Sequence, residues 1–403
     1  MYKVVKLQKP LKGVKVADFS RILAGPFATM VLADLGAEII KIEPPSGDDS
    51  RYWAPIIDGE SVYFMSTNRG KKSIVINLKT EEGRKIAYDI IKDSDILIEN
   101  FREGIAKKLG IDYDTVTRIK PDIIYCSIRG FRSGTRYTEK GGADLIIQAM
   151  SGLMDTIGEE GGEPVKVSFA LFDIIAGLIA VSSILSALYY RNVTGKGMKI
   201  ETPLYDSAIY SMVYIPMIYL MTGVKPVKMG SAHPSIVPYQ AFKCRDGRYI
   251  ATGAFNDEMW VRFLRTLELD ELAKDPRFKT NVDRVRNRRE LIKILSERFM
   301  EKNSVEWLKR LEENRVPAGL VYGVDEVFKD PYIEEARILS YIKHSKLGLI
   351  KQILYPSIIN GERLDIDKAP PDLGGDARII LKELGYDDDY IKKLFDDGVV
   401  CCK

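Results

Sequence analysis

Few side chains in this sequence are placed to do chemistry alone. Asp173 is one of them: it is the only charged residue in Val167–Ile184, an apolar run that reads as the start of a long helix. An aspartate there fits two roles. It serves as a helix N-cap, or as a carboxylate in a dry pocket, where desolvation raises its pKa while the helix N-terminus favours the ionised form. In the second role it is a nucleophile toward an activated acyl carbon. The turn Asp18-Phe19-Ser20-Arg21-Ile22-Leu23-Ala24-Gly25-Pro26 is the other signal. Ala24 and Gly25 let a ligand approach the backbone, Pro26 suits the first helical position, and the helix behind it offers free N–H groups. A plain tight turn accounts for the same residues equally well.

Most other chemistries lack their parts. With only His233 and His344, and no cysteine pair at ligand spacing, no metal site is expected. No G-x-S-x-G elbow supports a serine hydrolase, and no glycine-rich fingerprint or phosphate loop follows a strand. Sixty Lys and Arg against 57 Asp and Glu leave a net charge of +3, which argues against a nucleic-acid binder relying on bulk charge. The basic run Arg284–Arg298 is interrupted by acids and carries Leu291, Ile294, Leu295 and Phe299 at helical spacing, so it reads as a solvated helix face.

Composition and targeting signals point to a soluble protein. The four cysteines (Cys126, Cys244, Cys401, Cys402) form no disulfide framework, and a cytoplasmic location fits them. Residues 1–15 hold five lysines and no continuous apolar stretch, unlike a signal peptide. Ile174–Tyr190 and Ser207–Val224 are free of charge, yet serines interrupt the first and Pro216 the second. Both read as buried core helices, with no membrane span expected.

The length suggests two or three domains. Strands are expected near Val14–Phe19, Glu38–Ile42, Ser73–Leu78, Asp95–Glu99 and Asp122–Ile128, with helices at Pro26–Leu35, Thr80–Asp93 and Asp112–Lys120 between them. That alternation implies an α/β fold with a mainly parallel sheet covered on both faces and ligands at the strands' carboxyl ends. A long helix from Asp173 and a strand at Met198–Glu201 follow. From about Lys225 the character changes: prolines, a hairpin turning at Asp246-Gly247, then charged helical sequence from Glu258 to Asn314. This reads as a smaller second domain, with mixed character returning after Asp325.

Taken together, the chain resembles the family III CoA-transferases, which include formyl-CoA transferase, carnitine-linked CoA-transferases and the related α-methylacyl-CoA racemases. The resemblance runs nearly end to end. Its blocks are GVKVADFSRILAGPFATMVLADLGAEIIKIEPPSGDDSR (Gly13–Arg51), NRGKKSIVINLKTEEG (Asn68–Gly83), DILIENFREGIAKKLGID (Asp95–Asp112), GGADLIIQAMSGLM (Gly141–Met154), TGKGMKIETPLYDSA (Thr194–Ala208), DPRFKTNVDRVRNRREL (Asp275–Leu291) and PPDLGGDARIILKELGY (Pro370–Tyr386).

The likeness implies an open Rossmann-like large domain built from both chain ends (residues 1–224 and 326–403), a smaller inserted α+β domain (225–325), and two ring-like protomers interlinked as a homodimer. It implies acyl-CoA and organic acid substrates, coenzyme A as part of the substrate, and no permanently bound cofactor. Asp173 matches the family's catalytic aspartate, which carries first an acyl group as an anhydride and then CoA as a thioester. Asp144 aligns with an acid that positions this nucleophile. Contacts to CoA are implied for Ile22, Leu23, Ala24, Ile76, Asn100, Phe101 and Lys108, with Lys108, Arg51 or Lys140 meeting phosphates. The racemases' histidine would fall at Ala143 and their glutamate near Asn256, so a proton relay on both faces of the α-carbon lacks its groups and transfer is favoured. Two features depart from the family's pattern: Pro44-Pro45 follows Glu43 where the oxalate-linked member has a basic residue, and no glycine run marks the flexible lid of some relatives. Neither acid substrate is legible.

Overall fold

The computed structural model describes residues 8–401; Cys402 lies outside the described residues. Two compact units divide the chain. The larger takes residues up to 153, 166–223 and 334 onward, and the smaller takes 154–165 and 224–333.

A seven-stranded sheet organises the larger unit among the described residues. Its strands are β1 (Lys15–Asp18), β2 (Glu38–Glu43), β3 (Lys71–Ile76), β4 (Ile96–Glu99), β5 (Ile124–Arg129), β6 (Met198–Pro203) and β7 (Val400–Cys401). They lie in the order β7-β3-β2-β1-β4-β5-β6, all parallel except β7 against β3. The chain builds outward from β1 to β3, then returns through a helix to place β4 on the other side of β1. That reversal leaves a crevice at the carboxyl ends of β1 and β4, where open α/β sheets take their ligands.

Alternation along the strands sends apolar side chains to both faces. Val16, Ile39, Ile96, Ile98, Ile124 and Cys126 enter one core with helices α1 (Ala24–Asp34) and α4 (Leu171–Thr194). Ala17, Ile40, Ile42, Ile74 and Leu97 enter the other with α2 (Glu81–Lys92) and the C-terminal helices. Thr80 caps α2 by accepting from the Gly83 N–H. Cys126 is fully buried, and burial pushes its thiol up to about 12.

Helices α3 (Asp144–Met150) and α5 (Leu204–Ser211) contribute Ile146 and Leu204 to the site's lining, and α6 (Tyr214–Thr222) follows α5. The expected burial of 207–224 is observed only at its start, where Ser207 and Ala208 are buried. The segment breaks in two at Val213 (φ 46°), α6 has no buried residue, and Tyr210, Leu220 and Met221 are exposed. Of the two windows, only α4 forms a helix long and apolar enough to span a membrane, and it packs one face into the core. The second window fails because its break leaves two short helices: the first buries Leu204 and Ala208, while most apolar side chains beyond them face outward.

The smaller unit holds a three-stranded antiparallel sheet and helices around Trp260, Phe263, Phe299 and Trp307. Its basic run is not uniformly solvated. Arg284 is fully buried, stacked over Trp260, ion-paired to Asp257 and bonded to the Val237 carbonyl.

Helix α4 crosses the start of α1 at Gly177, where a Cβ would lie 2.9 Å from the Ala24 carbonyl oxygen and 3.0 Å from a Phe27 ring carbon. Gly177→Leu therefore has to separate the two helices. It is expected to cost about 1–3 kcal/mol, read as a lowered urea midpoint with an unchanged slope.

Candidate active site

The turn after β1 does not continue straight into a helix. Ile22 adopts φ 70°, a left-handed conformation that a β-branched residue rarely takes. Helix α1 begins at Ala24, so Pro26 is its third residue rather than its first, and no side chain caps it. From β4, Asn100 reaches across the crevice to clasp this turn. Its Oδ1 accepts from the Arg21 N–H (2.8 Å) and its Nδ2 donates to the Arg21 carbonyl (2.7 Å). Glu99 accepts from the Phe101 N–H at 2.7 Å, fixing the backbone from which the Phe101 ring projects.

Two cavities open at these strand ends. The first, about 360 Å³, brings together Ile22, Ala24, Asn100, Phe101, Lys140 and Asp173. The second, about 220 Å³, is lined by Ile42, Pro44, Ile76, Phe101 and Leu109 among others. Phe101 belongs to both. Leu23 is buried and lines neither cavity. Lys108 is exposed on the short helix Ile105–Leu109 and lines neither, although Ile105 and Leu109 face the second. Arg51 is committed elsewhere: its guanidinium grips both Glu43 oxygens at 2.7 Å, and it is buried over Phe64. Lys140 and Arg102 supply positive charge to the first cavity.

Asp173 is not the N-cap of α4. It is the third helical residue, and Ala170 holds the cap position without a capping side chain. Asp144 does the capping from α3: its Oδ1 accepts from the Phe172 N–H at 2.8 Å. Gln148 donates to the other Asp144 oxygen at 2.6 Å and accepts from the Val167 N–H at 2.9 Å. This α3 clamp leaves the Asp173 carboxyl free to face the cavity. Burial, then the neighbouring Asp144 charge, pushes Asp173 up to about 7. Tyr63 senses the same carboxylates: burial, then Asp173, Asp144 and Asp48, raises its phenol.

Gly130 and Gly142 set the opposite wall. Each lies so close to the other that a Cβ on either would fall within 2.3 Å of the partner's Cα. The segment entering α3 is thereby pressed against the end of β5. Sequence reasoning missed this pair, along with Arg102 and Gln148. Gln148 left a trace, as a polar residue one turn after Asp144 on the same helix face.

A family profile described as CoA-transferase family III matches residues 11–377. Succinyl-CoA:glutarate CoA-transferase of Homo sapiens is 41% identical over 396 residues, covering 97% of this chain and 90% of its own. Succinate–glutarate CoA-transferase of Agrobacterium fabrum is 36% identical over 384 residues, covering 93% and 96%. The crystal structure of a CAIB/BAIF family protein from Brucella suis superposes with a TM-score of 0.82 at 39% identity, covering 94% of this chain and all of that one. An open α/β enzyme with its crevice at the strand reversal is thus the class that fold and relatives define. The chain belongs to CoA-transferase family III, and coenzyme A is its substrate.

Replacing Asp144 by Asn keeps an acceptor for the Phe172 N–H but removes the charge that faces Asp173. The Asp173 carboxyl is then expected to titrate below its value of about 7, yet still above an ordinary aspartate because burial persists. Carbon-13 carboxyl NMR of the two proteins measures the difference.

Proposed function

We propose that this enzyme moves CoA between carboxylic acids through covalent intermediates on Asp173. The observation that carries the reading is a half-buried, unclamped carboxylate on the wall of a cavity at the sheet's ligand crevice. The carboxylate attacks the thioester carbonyl of the donor acyl-CoA and expels CoA thiolate, leaving a mixed anhydride. The thiolate attacks the aspartyl carbonyl and releases the donor acid, which leaves with one former aspartyl oxygen. An acceptor carboxylate then attacks the aspartyl-CoA thioester to give a second anhydride and free thiolate. Attack of that thiolate on the acceptor's carbonyl yields the new acyl-CoA and regenerates Asp173. Each step exchanges one activated acyl for another, so no external energy source is required. Anhydrides hydrolyse readily, and the apolar setting that raises Asp173 also limits water.

Coenzyme A spans both cavities in this reading. The nucleotide occupies the second, beside Ile76 and Phe101, and the thioester reaches the first; Lys140 and Arg102 supply charge for the phosphates. Remote binding energy then holds the reacting carbonyl over the carboxylate. The relatives' substrates suggest dicarboxylic acids such as succinate and glutarate as donor and acceptor acids. Ala143, on the first cavity's wall, carries no proton-transfer group, which favours transfer over racemisation. The free cysteines suit a cytoplasmic enzyme.

The same reading makes the protein an interlocked homodimer. Its support is the large apolar surface left on α4, α5 and α6, including Tyr189, Val193, Tyr210, Leu220 and Met221, more than an isolated soluble chain usually exposes. Sedimentation equilibrium at micromolar concentration is expected to give twice the chain mass; a single-chain mass would overturn this part.

Asp173→Ala is expected to lower exchange between succinyl-CoA and glutarate by at least about 10⁴-fold, while calorimetry still detects CoA binding. Hydroxylamine added during turnover is expected to leave a hydroxamate on the peptide containing residue 173. Normal turnover by the variant would refute the assignment.

The attacking form is ionised, so donor-side kcat/KM is expected to rise with pH along one ionisation near 7 and level off above it. Stability runs the other way. A carboxyl whose folded pKa is raised costs the fold progressively as pH climbs from its unfolded pKa, about 4, to its folded one, and the full cost is present above that value. Asp173→Asn is therefore expected to melt higher than the wild type above pH 7, and the gain is expected to disappear near about pH 4.

A further inference from the structure

Beneath the Ser20–Ile22 turn lies a group of buried charges that the proposed chemistry does not use. Lys41 projects from β2 and Asp48 from the loop after it; both side chains are fully buried, and they pair at 2.9 Å. Burial opposes both charges, yet the pairing outweighs it. Lys41 is raised by Asp48, Asp18 and Glu43, and Asp48 is held far below the usual carboxylate range by Lys41 and Ser50.

Each partner also grips the turn. Lys41 Nζ donates to the Ser20 carbonyl at 2.9 Å. Both Asp48 oxygens accept from the Ile22 N–H, at 3.1 and 3.2 Å. The two ends of the three-residue turn are thus tied to the two ends of one ion pair, while Asn100 holds Arg21 between them. The residue at the Asp48 end is Ile22, whose left-handed backbone is the conformation least suited to a β-branched side chain. Ile22 lines the cavity that also holds Asp173.

We propose that the Lys41–Asp48 pair is a positioning device for CoA binding: it holds Ile22 in its left-handed conformation and so pre-shapes the turn against the ligand. The inference rests on the reading that coenzyme A occupies this cavity. Without the pair, Ile22 relaxes to an ordinary backbone conformation and the turn must be restrained at the expense of binding. Asp18 backs the turn from β1 by accepting from the Ser20 N–H, and is itself bonded to Thr29 and Lys71, so the loss is expected to be local.

The test is a coupling measurement with free coenzyme A as the probe, read by titration calorimetry beside kcat and KM for succinyl-CoA. The background variant Lys41→Met/Asp48→Ala removes both charges together and leaves no buried ion unpaired. It is expected to weaken CoA binding about tenfold, from the loss of hydrogen bonds to charged groups, raising KM more than it lowers kcat. Ile22→Gly then separates positioning from mere folding. Glycine takes the left-handed conformation without strain. It is expected to weaken binding in the wild type, where it only removes a side chain from the wall, and to strengthen it in the background variant. Equal effects of Ile22→Gly in both backgrounds, or normal CoA affinity in the background variant, would overturn the proposal. Should that variant not fold, Lys41→Met/Asp48→Asn replaces it, with a smaller change of the same sign expected and the same outcomes decisive. The chemistry is tested apart from this: turnover by Asp173→Ala would sink the covalent mechanism whatever the coupling, and a wild type that binds no CoA would sink the occupancy of the cavity and the positioning role together.

Discussion

The parting of β1 and β4 is the constraint from which the rest of the site follows. Parallel strands need crossovers, and where the direction of winding reverses, the loops leaving two adjacent strands diverge to opposite faces. A gap opens there, walled by backbone whose N–H and C=O groups have left the ladder. In this protein the Asn100 amide bridges the gap: it supplies both a donor and an acceptor to Arg21, standing in for the missing strand partner. The loops therefore end in a defined shape before any ligand arrives.

Around that gap the protein treats acidic groups in two opposite ways. Asp48 and Asp18 are fully buried but surrounded by ammonium groups, hydroxyls and amides, so they stay ionised and act as structural anchors. Asp173 has a buried setting and another carboxylate as neighbour, and both work against its charge. Its charge is costly, a condition that the proposed nucleophilic role would use. The same helix start is satisfied by Asp144 from a separate element, so the capping duty and the exposed carboxyl are divided between two residues.

How far these features could be read beforehand depended on whether local pattern or tertiary contact decides them. The β–α alternation through residue 129 was plain because both faces of a parallel sheet are apolar. The strands at Ile39, Ile74, Leu97 and Ile124 all fall where the apolar runs lie. Asp173 stood out because nothing else in its run is charged. Its exclusion from the cap was invisible, since that depends on Asp144, 29 residues earlier in the chain. Lys41 sat in plain view as a lysine inside an apolar strand, yet an edge strand would carry one equally well; only the position of β2 inside the sheet shows that its ammonium must find partners indoors. The apolar stretch after Ser207 misled for the converse reason. Hydrophobicity of a segment does not by itself specify burial within its own chain.

Cys126 carries a consequence for any protein that handles thioesters. It lies on β5, the strand whose far end, at Ile128 and Arg129, reaches the cavity wall. A thiolate there would capture acyl groups by the same exchange that coenzyme A undergoes, and would hold them as a dead-end adduct. Sealed between sheet and helix, with its proton held up to about 12, that sulfur is kept out of the traffic. In the proposed chemistry, selectivity among nucleophiles is then achieved as much by silencing the better sulfur as by arming the poorer oxygen.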